Sequence, residues 1–100
     1  MPFTRINVLE AKSLISDNEA QVIDIRDPAS FQSGHIENSV HIDNSNVQQF
    51  LDQADKSKPL IVCCYHGNMS QGAADFFNQQ GFVQSYSLDG GYKAWALQAL

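Results

Sequence analysis

A chain of 100 residues with 43% hydrophobic content has room for one modest core, so residues 1–100 are expected to form a single domain. Its net charge of −5, with no cluster of lysine or arginine, speaks against nucleic acid and an anionic membrane as partners. The first six residues show no basic region followed by an apolar run, no stretch approaches the ~18 apolar residues that span a bilayer, and two adjacent cysteines make no disulfide framework. These signs point to the cytoplasm.

In chain order, Arg5–Asn7 reads as a short strand, and Asn7 with Glu10 has the spacing of a capping box. A helix follows, with Val8, Ala11, Leu14 and Ile15 on one face and Asp17-Asn18 as its stop. Residues 21–25 are rich in β-branched side chains and predict a buried strand. Asp27-Pro28 opens a second helix, and residues 39–42 alternate as a third strand, with Val40 and Ile42 set against Ser39 and His41. Residues 47–53 predict a helix capped by Ser45 or Asn46.

Leu60, Ile61 and Val62 form an apolar run without polar alternation, which suits a strand buried on both faces. Two cysteines and a short polar loop follow it. Where a parallel strand ends and a helix begins, unpaired N–H groups and the positive end of the helix dipole face the loop, which places Cys64 to be a thiolate. Met69, Ala73, Phe76 and Phe77 recur at helical spacing after the loop, and Gly81 stands where a left-handed residue would end that helix. Residues 85–88 read as a last strand, Asp89-Gly90-Gly91 as a turn, and Tyr92, Trp95, Ala96 and Ala99 as the apolar face of a closing helix. This alternation predicts an α/β domain with a mainly parallel sheet of about five strands and helices on both faces.

Five segments, in order, carry a resemblance: Asp24-Ile25-Arg26, Phe31, Gly34-His35-Ile36, the loop from Cys64 to Met69, and Asp89-Gly90-Gly91-Tyr92 with Trp95. Together they resemble the rhodanese family over nearly the whole chain, and the Cys-Tyr-His-Gly-Asn loop resembles that of its single-domain thiosulfate sulfurtransferases. The resemblance implies a three-layer rhodanese-like domain. It also implies ping-pong transfer of the outer sulfur of thiosulfate through a persulfide on Cys64 to cyanide or a thioredoxin-like dithiol protein, with no metal or organic cofactor.

Successive strand side chains point to opposite faces, so at most one of the two cysteines aims into the loop; Cys64 aligns with the family nucleophile and Cys63 reads as a buried apolar residue. Gly67 is expected to let consecutive amides converge, with Tyr65, His66, Asn68 and Met69 supplying them and binding substrate. His66 reads equally as an anion contact or as an exposed loop histidine. Cys63, Cys64 and His66 lack the spacing of a metal site. The loop has no arginine or lysine, and Met69 stands where relatives often carry a hydroxyl. Asp24 and Arg26 read as an ion pair at the strand end, His35 as a hydrogen-bonded core residue, and Trp95 as core.

Two rival classes share some of these features. A cysteine phosphatase or arsenate reductase would need an arginine six residues after the cysteine to grip the oxyanion, and that position is Ser70. A sensing module that keeps the fold without useful turnover is the other.

Overall fold

A computed structural model describes residues 3–98. Its elements run β1 (Thr4–Ile6), α1 (Val8–Asn18), β2 (Gln21–Asp24), α2 (Pro28–Ser33), β3 (Val40–His41), α3 (Val47–Gln53), β4 (Leu60–Cys63), α4 (Met69–Gln79), β5 (Ser85–Leu88) and α5 (Gly91–Gln98). The five strands form one sheet in the order β1-β5-β4-β2-β3, with every pairing parallel.

β4 takes the central position, and all four of its residues are buried. Alternation sends Ile61 and Cys63 to one face, where they join Val22 and Leu88 beneath Val8 and Ala11 of α1 and Tyr92, Ala94 and Trp95 of α5. Leu60 and Val62 point the other way and meet Ile23, Leu51 of α3, and Ala74 and Phe77 of α4. The sheet is therefore covered on both sides, which explains why β4 reads as a continuous apolar run.

The capping box forms as the sequence requires: Glu10 N–H donates to the Asn7 side chain at 2.8 Å and Asn7 N–H donates to the Glu10 carboxylate at 2.9 Å. Asn7 is thereby spent on the helix, and β1 ends one residue earlier than expected. Asp27 caps α2 by accepting from Ser30 N–H at 3.0 Å. The Asn46 side chain, by contrast, does not cap α3; it accepts from Asp43 N–H and donates to the His41 carbonyl.

Three side-chain expectations need correction. Val40, on the two-residue edge strand β3, is 48% exposed, and only Ile42 of the expected alternating pair is buried. His35 is exposed rather than core; its ring stacks on Phe31 with centroids 3.9 Å apart and bonds the Phe31 carbonyl. The inner face of α4 is Ser70, Ala74 and Phe77, while Met69 and Phe76 are 56% and 43% exposed. The reason lies in β5, whose inward residues on that side are Ser85 and Ser87. Ser85 Oγ donates to the Ala74 carbonyl at 2.6 Å, so α4 rests on the sheet through small side chains and hydroxyls. Ala99 of the closing helix lies outside the described residues.

Candidate active site

The loop of residues 64–68 joins the buried end of β4 to the first turn of α4. The Cys64 sulfur lies within it, and the residue is 1% exposed. Gly67 N–H and Ser70 N–H both donate to Sγ at 3.2 Å. The Ser70 hydroxyl stands 3.3 Å from the same sulfur, accepting from the thiol in the structure as it stands. Ser70 N–H belongs to the first turn of α4, where helical amides have no partner four residues back.

These contacts decide the ionisation of the two cysteines. Burial alone would raise the Cys64 pKa, but the Ser70 hydroxyl and the amides of Ser70, Gly67 and His66 outweigh it, and the thiol titrates below its ordinary value. Burial pushes the Cys63 thiol up to about 12, helped by the nearby Asp24 carboxylate. One of two adjacent thiols thus has its anion stabilised while the other is held neutral.

The loop's shape comes from its glycines and from the far end of the chain. Gly67 has φ +93, and a Cβ there would stand 2.8 Å from Gly90 N and 3.1 Å from the Leu88 carbonyl. Tyr92 N–H donates to the Cys64 carbonyl at 2.8 Å and Lys93 N–H to the Tyr65 carbonyl at 3.3 Å, so the first turn of α5 clamps the loop. Gln71 Nε2 holds the Gly67 carbonyl at 3.0 Å from the other side. The Asp89-Gly90-Gly91 turn lies against the loop so closely that a Cβ on Gly91 would stand 2.5 Å from the Cys64 carbonyl oxygen.

At the rim, Tyr65 O–H donates to the Asp27 carboxylate, and Asp27 N–H returns a bond to the phenol oxygen at 3.1 Å. The phenol and Ser30 hold Asp27 well below the usual carboxylate range. Arg26 forms the expected buried pair with Asp24 at 2.8 Å, donates to the Gly34 carbonyl at 2.7 Å and lies over the Tyr92 ring. It braces the floor beneath the loop. Cys64, Tyr65, His66, Asn68 and Met69 line an open pocket of about 190 Å³, and no arginine or lysine is among its lining residues.

The loop residues singled out from sequence come together, but the expected amide set needs correction: the hydrogen bonds to the sulfur come from Gly67 and Ser70, with the His66 amide also favouring the anion, whereas Tyr65, His66, Asn68 and Met69 line the pocket, because the loop turns at Gly67 and the helix begins at Met69. Sequence reasoning missed Ser70 and Gln71. Ser70 enters the sequence reading only as the position where phosphate chemistry needs an arginine, yet its hydroxyl stands 3.3 Å from the sulfur and gives the site a hydroxyl that Met69 does not. A hydroxyl residue six positions after the cysteine, in the first helical turn, was the available signal. Met69→Ser should accordingly change kcat/KM for thiosulfate by less than about tenfold, the scale of one net hydrogen bond. A loss beyond a hundredfold in steady-state kinetics would contradict this geometry.

Among the described residues, no group of three or more His, Cys, Asp and Glu side chains is placed to hold a metal ion, and no helix is long and apolar enough to cross a membrane.

The rhodanese-like domain family model matches residues 7–98. Thiosulfate sulfurtransferase GlpE of Pseudomonas aeruginosa strain LESB58 is 56% identical over 93 residues, spanning 93% of this chain and 84% of the relative. The protein of the same name from Vibrio cholerae strain O395 is 45% identical over 93 residues, spanning 93% and 88%. Among solved structures, a rhodanese-related protein from Thermoplasma volcanium superposes with a TM-score of 0.80 at 28% identity, covering 96% of this chain and 93% of its own.

Proposed function

The chain belongs to the rhodanese-like family, and from that membership we propose that it is a thiosulfate sulfurtransferase working through a persulfide on Cys64. The observation that carries the reading is the convergence of Gly67 N–H, Ser70 N–H and the Ser70 hydroxyl on one sulfur atom. A thiolate, not a thiol, is the attacking species, and these donors favour it.

The Cys64 thiolate attacks the outer sulfur of thiosulfate. The S–S bond of thiosulfate breaks, its electron pair leaves with sulfite, and Cys64 retains the transferred sulfur as a persulfide anion. An acceptor nucleophile then attacks that outer sulfur, breaks the new S–S bond and restores the thiolate. Cyanide departs as thiocyanate, whereas a thioredoxin-like dithiol protein takes the sulfur on one of its thiols. Both steps balance with the cysteine alone, so neither draws on a metal or an organic cofactor.

The pocket suits this sequence of events. Tyr65, His66, Asn68 and Met69 wall the space in which the sulfonate end of thiosulfate would sit, its charge met by backbone dipoles and the α4 terminus. Cys64 lines this pocket although the residue is only 1% exposed, and the outer sulfur of a persulfide would stand about 2 Å beyond Sγ, within easier reach of an acceptor. The domain is proposed to act as one unit in the cytoplasm, where a reducing environment would keep its two free thiols reduced.

Intact mass after thiosulfate treatment should show the gain of one sulfur atom, mapping to Cys64. No gain, or a gain on Cys63, would overturn the proposal. Under the same conditions hydrolysis of a simple aryl phosphate should be negligible, because Ser70 stands where phosphate chemistry needs an arginine fork. Robust phosphatase activity lost in Cys64→Ala would refute the reaction class.

A further inference from the structure

Behind the Cys64 sulfur lies a second hydroxyl. Ser70 Oγ, 3.3 Å from Sγ, is 2.7 Å from Ser87 Oγ on β5, and both serines are fully buried. Either serine could be the donor between them, and among the described residues the Ser87 oxygen has no hydrogen-bond partner other than Ser70.

The proton count of this three-membered chain is informative. It has two links, sulfur to Ser70 and Ser70 to Ser87, and each hydroxyl brings one proton. When Cys64 is a thiolate, Ser87 donates to Ser70 and Ser70 donates to sulfur, so both links are filled with no proton left over. When Cys64 is a thiol that donates to Ser70, the Ser70 proton turns to Ser87, and the Ser87 proton is left in a buried place without an acceptor, which carries a desolvation cost. A lone Ser70 could point its proton either way. Ser87, when it donates, biases that proton toward the sulfur.

We propose that Ser87 is a positioning residue for sulfur transfer: by donating to Ser70, it turns the Ser70 proton toward the Cys64 sulfur and favours the anion. The inference rests on Cys64 being the reacting sulfur. The residues that α4 and β5 present to this chain, Ser70 and Ser87, carry no charge. The ionisable side chains nearby are His66 and Tyr65 of the loop, with Tyr65 bonded to Asp27, and Cys63 on the opposite face of the sheet. Beyond β5, Asp89 pairs with Arg5. Removing the Ser87 hydroxyl leaves all of these in place.

The test is the pH dependence of Cys64 alkylation by iodoacetamide, followed by intact mass in the full chain. Ser87→Ala should raise the midpoint by about half to one pH unit, which is roughly a three- to tenfold smaller thiolate fraction below it. In a Ser70→Ala background the same change should move the midpoint no further, because the proton it orients is gone. A midpoint that is unmoved or lowered in Ser87→Ala, or an equal rise in the Ser70→Ala background, would overturn the proposal. Thiosulfate takes no part in this measurement, so a wild-type protein that failed to gain sulfur would sink the reaction while leaving the alkylation result to stand or fall by itself.

Discussion

Cys64→Ser is expected to lower thiosulfate:cyanide sulfur transfer by at least about four orders of magnitude, the scale on which loss of a covalent nucleophile is felt. Serine is close in size, so the fold should survive. A serine hydroxyl, however, ionises far above neutral pH, and an oxygen anchor cannot form the persulfide. The neighbouring thiol cannot stand in, since Cys63 points into the α1 and α5 face of the sheet and burial holds its pKa near 12. Cys63→Ser should keep most activity and lose roughly 1–3 kcal/mol of stability for placing a hydroxyl in an apolar setting. Cyanide-coupled kinetics and denaturant unfolding on both variants would check this. If Cys63→Ser is the inactive one, the loop register is wrong.

Gly67→Val should be nearly as damaging, with a loss of at least about a hundredfold in kcat/KM, because it removes no functional atom yet displaces those that remain. At φ +93 a β-branched residue is strained, and its Cβ would press on the backbone of the Leu88–Gly90 turn, which has no flexible end to give way. The loop must shift, and with it the Gly67 amide that meets the sulfur at 3.2 Å. Misplacement by a fraction of an ångström is costly where donors have to match a developing charge. Gly72→Ala is the control. That glycine lies in α4 with open space where the Cβ would go, so alanine should add about 0.5–1 kcal/mol of stability and leave turnover intact. Wild-type kcat/KM in Gly67→Val would discredit the amide-cradle account.

What the sequence made legible follows from which signals are local. The central strand, the capping box at Asn7, the Asp27 helix start and the Gly81 stop each depend on residues a few positions apart, and each stands in the structure. The orientation of α4 was not legible from apolar spacing, because that pattern counts Met69 and Phe76 and passes over serine. Its inner face is written in Ser70 and Ala74, and their partners Ser85 and Ser87 lie more than ten residues away on another strand. The same blindness hid the hydroxyl beside Cys64. His35 misled in the opposite direction: a histidine between Gly34 and the buried Ile36 looked interior, but its ring turned outward onto Phe31.

The clamp from α5 onto the loop ties the backbone around the sulfur to an element well separated from it in sequence. Among the described residues β1 pairs with β5, and the carbonyls of Cys64 and Tyr65 are held by the amides of residues 92 and 93. A loop fastened in this way shares the local stability of the helix that fastens it. Whatever frays the first turn of α5 loosens the backbone beside Cys64 while β4 and α4 stay intact.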